Sequence, residues 1–177
     1  MAEQSDEELV ATAREGDLLA FKSLVNRHEG RVAGVVKSML GATPEADDVG
    51  QEVFIRFYQS LTKFRGEAAV GTYLTRIAIN LSLNEIKRRK RRFSIFSKEE
   101  EGWNKSAGDE DKDLKDMIGY ELNRLEPEFR AVVTLRLIEG YSTEETAAIL
   151  GIPLGTVLSR LSRAQMKLRT GLEKHLN

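Results

Sequence analysis

The 177-residue chain has no cysteine, which rules out disulfides and thiolate metal sites. Its two histidines, His28 and His175, lie far apart in the sequence, so no imidazole cluster offers itself to zinc or iron. No metal and no cofactor is expected. No apolar run approaches the roughly 18 residues that a membrane span needs. The opening MAEQSDEE is acidic and lacks an apolar core, so neither a span nor a signal peptide is predicted. There is no phosphate-binding glycine loop and no nucleophile–histidine–acid set, so the chain is not expected to be an enzyme. No stretch alternates with period two and no internal repeat is present, which leaves an all-α reading. Only 7% of residues are aromatic while 31% are charged, the profile of a soluble helical protein.

The formal net charge of -1 hides a segregated distribution. Lys87 to Arg92 is an unbroken basic run, and Arg160, Arg163, Lys167, Arg169 and Lys174 crowd the C-terminal segment. Acids gather at the N-terminus and between Glu99 and Asp116. Local patches of this kind, not the whole-chain balance, set attraction to phosphate.

The most informative segment is Tyr141 to Leu168. Ser142 followed by Glu145 is a capping box that opens a short helix at Thr143. Gly151 closes that helix, and Pro153 opens the next with its φ already helical. In the second helix Val157, Leu161, Ala164 and Leu168 fall within about 60° of arc. Thr156, Ser159 and Arg163 project from the opposite face, with Arg160 on its flank. A short helix, a tight turn and a longer helix with small polar and arginine side chains outward is a helix-turn-helix suited to the DNA major groove.

Upstream, Ser5 and Glu8 form a second capping box, with Gly16 ending that helix. Helical spacing then runs from Asp17 to about Leu40, closed by Gly41. Thr43-Pro44 opens a third helix, and a fourth runs from about Thr72 to Arg92. These elements make a first domain, residues 1–92. Periodicity fails from Phe93 to Asp113, which reads as an acidic linker, residues 93–113. About 20 residues span roughly 70 Å when extended and about 25 Å as a coil, enough to let two DNA-binding modules sit two or more helical turns apart. Helices expected at Leu114–Leu125, Pro127–Glu139, Thr143–Leu150 and Pro153–Leu172 form a second domain, residues 114–177.

Two stretches together resemble a known family. Asp48-Val49-Gly50-Gln51-Glu52-Val53-Phe54, then Phe64-Arg65-Gly66, then Tyr73 through Asn80, is similar to region 2 of bacterial sigma factors of the extracytoplasmic-function group. The helix-turn-helix, with Glu144-Glu145-Thr146-Ala147, Gly155-Thr156-Val157 and Ser159-Arg160, is similar to their region 4. The resemblance implies a promoter-specificity subunit, an alternative sigma responsive to stress or the envelope. Its partners would be core RNA polymerase (through the clamp helices of the largest subunit and the flap), promoter DNA and an anti-sigma factor. The site would be the cytoplasm, with an anti-sigma factor able to hold the chain at the membrane. A helix-turn-helix regulator acting without polymerase is the competing class, but the N-terminal half shows neither a sensing pocket nor a dimer seam.

The resemblance assigns Asp48, Gln51, Glu52 and exposed Phe54 to the clamp helices; spacing alone also fits a solvated acidic helix with a core Phe. It assigns Phe64, Arg65, Tyr73, Arg76 and Asn80 to the minus-ten element. A base stacked on an aromatic recovers roughly 1–3 kcal/mol of the unstacking cost. Phe64 and Tyr73 are equally readable as packing aromatics, and Tyr73 stands where the family usually has Trp. Lys87 and Arg88 would clamp duplex backbone, or simply cap a helix end. Thr156, Ser159, Arg160 and Arg163 would read or clamp the minus-thirty-five element, and Arg136 would touch phosphate or serve within its own domain. Leu158 occupies a position where relatives often carry Arg.

Overall fold

The computed structural model describes residues 4–94 and 110–176, and these are helical throughout their regular structure. Most of the expected linker, residues 95–109, lies outside the described residues. Helix α1 (Asp6–Arg14) starts at the Ser5–Glu8 capping box, with both reciprocal hydrogen bonds formed. Helix α2 (Leu18–Leu40) is capped by Asp17, whose carboxylate accepts from Leu19 N and Ala20 N. Its end is Gly41, in the left-handed region at φ 76°. Thr43 caps α3 (Pro44–Ser60). Helix α4 (Val70–Phe93) begins two residues before the expected Thr72 because Val70 and Gly71 are buried there, although no side chain caps them.

Phe57, Leu24, Met39, Leu74 and Ile79 fill the interior of this four-helix unit. In the C-terminal half, α5 (Glu110–Arg124) starts before the expected Leu114. Helix α6 (Pro127–Val133) widens into a π turn, Thr134–Ile138, in which Glu139 N donates to Thr134 O at 2.9 Å. Thr134 and Leu135 are buried by this arrangement while Leu137 and Ile138 face solvent. Helix α7 (Thr143–Leu150) carries the Ser142–Glu145 capping box and ends on left-handed Gly151. Helix α8 (Leu154–Leu176) buries Val157 and Ala164 as its periodicity requires.

The two halves are not held apart. Ala131, Leu135, Tyr141 and Ile149 from the C-terminal half join the same buried cluster as Leu24, Met39, Leu74 and Ile79. A smaller cluster of Leu122, Leu125, Val133 and Ala164 belongs to the C-terminal half alone. Periodicity marks a buried face but not its partner, so the two domains were legible in the sequence while the seam between them was not.

Candidate nucleic-acid interface

On α8 the core-facing Val157 and Ala164 fix the helix's rotation, so Ser159 and Arg163 stand exposed and Thr156 and Arg160 half-exposed. Ser159 Oγ donates to Thr156 O at 3.1 Å, a local bond that a groove contact can replace. The four side chains share one end of the helix, with Leu158 exposed among them.

On α4, spacings of three, four and seven residues put Tyr73, Arg76, Asn80 and Lys87 on one stripe. Arg76, Asn80 and Lys87 are exposed and Tyr73 is half-buried. Exposed Asn84, four residues after Asn80, continues the stripe; that spacing was the signal that sequence reasoning missed. Phe64 is buried, with its ring edge-on to Phe57 at 5.9 Å and to Tyr73 at 4.9 Å. It therefore braces the loop and offers no free face to a base. The Tyr73 hydroxyl lies 3.2 Å from Ser60 Oγ, and its ring also contacts Phe57 at 5.9 Å, which sets the angle at which it meets the surface. Arg65 is exposed on the loop.

The basic run is less uniform than its sequence. Buried Glu85 takes Arg88 at 2.8 Å, Arg89 at 3.4 Å and Arg92 at 3.3 Å. Arg89 also turns inward to Leu40 O at 3.3 Å and Thr43 Oγ1 at 2.9 Å, tying the end of α2 to the start of α3. Arg88, expected as a phosphate clamp, is thus exposed but held by Glu85, while Lys87 projects into solvent.

On α3 the four expected polymerase contacts divide between two faces. Gln51 and Phe54 line a groove of about 800 Å³ between α2 and α3, with Val25, Val32 and Val36 at its apolar side. Asp48 and Glu52 lie roughly 110° around the helix, facing α4, by the ~100° step per residue. Glu52 pairs with Arg56 at 2.9 Å. Phe54, expected to be exposed, is half-buried and packed against the core, because its position brings it over α2.

Residues 24–92 match the family model described as Sigma-70 region 2, and residues 115–168 match that of Sigma-70, region 4. The ECF RNA polymerase sigma-E factor of Haemophilus influenzae is 36% identical over 93% of this chain and 94% of its own length. The chain belongs to the extracytoplasmic-function sigma factors. The RNA polymerase sigma-H factor of Pseudomonas aeruginosa is 30% identical to this sigma factor, over 98% of the chain and 96% of the relative. Among solved structures, CnrH in complex with the cytosolic domain of CnrY superposes with a TM-score of 0.71 at 27% identity, covering 97% of this chain and 99% of that one.

Two arginines of region 4 serve the sigma factor's own fold. Arg136, expected as a phosphate contact, donates to the backbone carbonyl of Tyr141 and closes the turn before α7. Arg130 was not singled out from the sequence. It is buried, and donates to Met39 O at 2.6 Å, to Leu125 O at 2.9 Å and to Asn123 O. Burial, and then the neighbouring Arg89, push its guanidinium down to about 10. The available signal was the apolar run Ala131-Val132-Val133 beside it, which marks a helix too short and too buried to keep an arginine in solvent. Among the described residues no group of three potential His, Cys, Asp or Glu ligands could hold a metal ion, and no helix is long and apolar enough to cross a membrane.

Proposed function

We propose that this sigma factor directs core RNA polymerase to its promoters by reading the minus-thirty-five element with α8 and the minus-ten element with α4. The observation that carries the reading is the pairing, in one chain, of two exposed polar and cationic helix faces. These are Ser159 and Arg163 on α8, and Arg76, Asn80 and Lys87 on α4. Each is fixed in rotation by a buried opposite face. Region 2 would meet the polymerase clamp helices through Gln51 and Phe54 in the α2–α3 groove and through Asp48 and Glu52 beside it. A partly apolar groove edged by Glu29, Asp47 and Gln51 suits an arginine-bearing helix. The same groove is the surface an anti-sigma factor would cover, which makes inhibition competitive. The chemistry of RNA synthesis belongs to polymerase, and the sigma factor would work in the cytoplasm without catalysis of its own.

The test is transcription in vitro with purified core polymerase. A complex forming at micromolar concentration and initiating from a subset of promoters supports the reading; no complex refutes it. Arg163→Ala then separates the roles at α8. Loss of about 1–3 kcal/mol confined to one base position means a base contact, whereas a uniform loss across minus-thirty-five variants means phosphate.

A further inference from the structure

Leu158 is the fifth residue of α8 and 49% exposed, on a helix whose opposite side is buried at Val157 and Ala164. Leu154, one turn earlier on the same flank, is exposed as well. Among the described residues neither apolar cluster takes Leu158 in. At ~100° per residue, the side turned away from the core runs from Leu158 through Ser162, Gly155 and Ser159 to Arg163, an arc of roughly 140°. All five residues are exposed. The middle of that arc is made of two serines and a glycine, and a Cβ on Gly155 would meet nothing within 4 Å. Small side chains there let the backbone of α8 approach a groove floor closely, which brings the short Leu158 side chain to the depth of the base edges. The first turns of a recognition helix are the part whose side chains meet those edges.

We propose that Leu158 determines specificity by packing on the C5 methyl of a thymine in the minus-thirty-five element, so that one base position is chosen by apolar contact. The proposal rests on the assignment of α8 to that element. In the major groove thymine alone presents a methyl group, while guanine shows N7 and O6 and adenine N7 and N6. Leucine has neither donor nor acceptor. Over thymine it exchanges water for a methyl group. Over guanine or adenine it would strip water from a polar edge without replacing the hydrogen bond, and over cytosine the methyl is missing. The preference is thus set twice, by a gain on the right base and a penalty on the wrong purine. Arg163, at the far edge of the arc, supplies the charge that draws α8 to the duplex. Leu158 adds choice of base and no salt dependence of its own.

The test uses the full chain assembled with core polymerase. Duplexes randomised across the minus-thirty-five element are selected for binding, and the selected sequence is remade with deoxyuridine in place of each thymine in turn. Uracil keeps the hydrogen bonds of thymine and lacks only the methyl, so each replacement removes that group alone. One of them should weaken binding about fourfold, the worth of one buried methyl-sized group. In Leu158→Ala the same replacement should have no effect, and selection should relax at that position and no other. Leu158→Arg should move the preference there to guanine, because a guanidinium pairs with O6 and N7 together. Met166→Ala removes an exposed apolar side chain further along α8 and should keep the uracil effect intact. A selected element in which no thymine is sensitive overturns the proposal, as does sensitivity that survives in Leu158→Ala. So does a Leu158→Ala protein that binds polymerase more weakly in the absence of DNA, since Leu158 would then be a protein contact. If the parent protein selects no minus-thirty-five sequence at all, the assignment of α8 itself falls. A defined element without a sensitive thymine sinks the Leu158 proposal alone.

Discussion

Glu85 decides how much of the basic run at the end of α4 is free to meet phosphate. Three arginines hang on its buried carboxylate, yet Arg88 and Arg92 are more than half exposed, so each pair is individually weak. Glu85→Gln keeps hydrogen-bonding capacity and removes the charge that holds them back. Duplex DNA affinity at low salt should rise. The slope of log affinity against log salt should steepen by up to about 0.9 for each arginine that reaches a phosphate. An unchanged slope would mean that Arg88 and Arg92 already reach phosphate despite Glu85. Side chains of this kind mark the limit of sequence reading. The helix starts at Ser5, Thr43 and Ser142 are set within three residues and were legible, whereas the Asp17 cap was not singled out. The inward turn of Arg89, the burial of Arg130 and the core role of Phe64 depend on neighbours 44 to 91 residues away, or on a ring cluster that no spacing specifies.

At the scale of elements, helix starts and stops were readable because glycine, proline and capping residues fix local backbone, and α7 runs where expected. The π turn was not readable: it trades one hydrogen-bond register for another to bury Thr134 and Leu135 against a different domain. The contact between α5 and α8 gives a second element-scale result. A Cβ on Gly171 would lie 2.0 Å from Glu121 Oε2 and 2.5 Å from its Cδ. Glu121 is itself buried and bound to His175 Nε2 at 2.7 Å. In an open helix Gly→Ala gains roughly 1 kcal/mol. Here the crowding cost of about 1–3 kcal/mol opposes it and prevails. Gly171→Ala should therefore lower the midpoint of urea unfolding. A raised midpoint would show that Glu121 swings aside freely.

For the whole molecule, packing of the two halves across their seam should depend on pH. Burial pushes the Glu139 carboxyl above its ordinary value, against the pull of Arg31. An acid raised in the packed seam binds its proton more readily there, so the packing should strengthen as pH falls through that raised range towards the ordinary 4.5, and weaken as pH rises. The charged groups of α2 on this side are Arg31 and, one turn back, His28, which is 2.7 Å from Asp6. Scattering across mildly acidic to neutral pH should show the trend, and Glu139→Gln should abolish it; persistence in that variant would mean that Glu139 is not the group responsible. Domain order was legible in the sequence, but the seam was not, since Thr75 meets Tyr141 across 66 residues and neither carries a signal of the other. One consequence concerns heat. Because Leu135, Tyr141 and Ile149 lie in the same apolar cluster as Leu24 and Leu74, neither half can melt without exposing the other's interior. The free chain should give one calorimetric endotherm, with van't Hoff and calorimetric enthalpies equal. A partner that parted the halves would divide that cooperativity into two independently melting units.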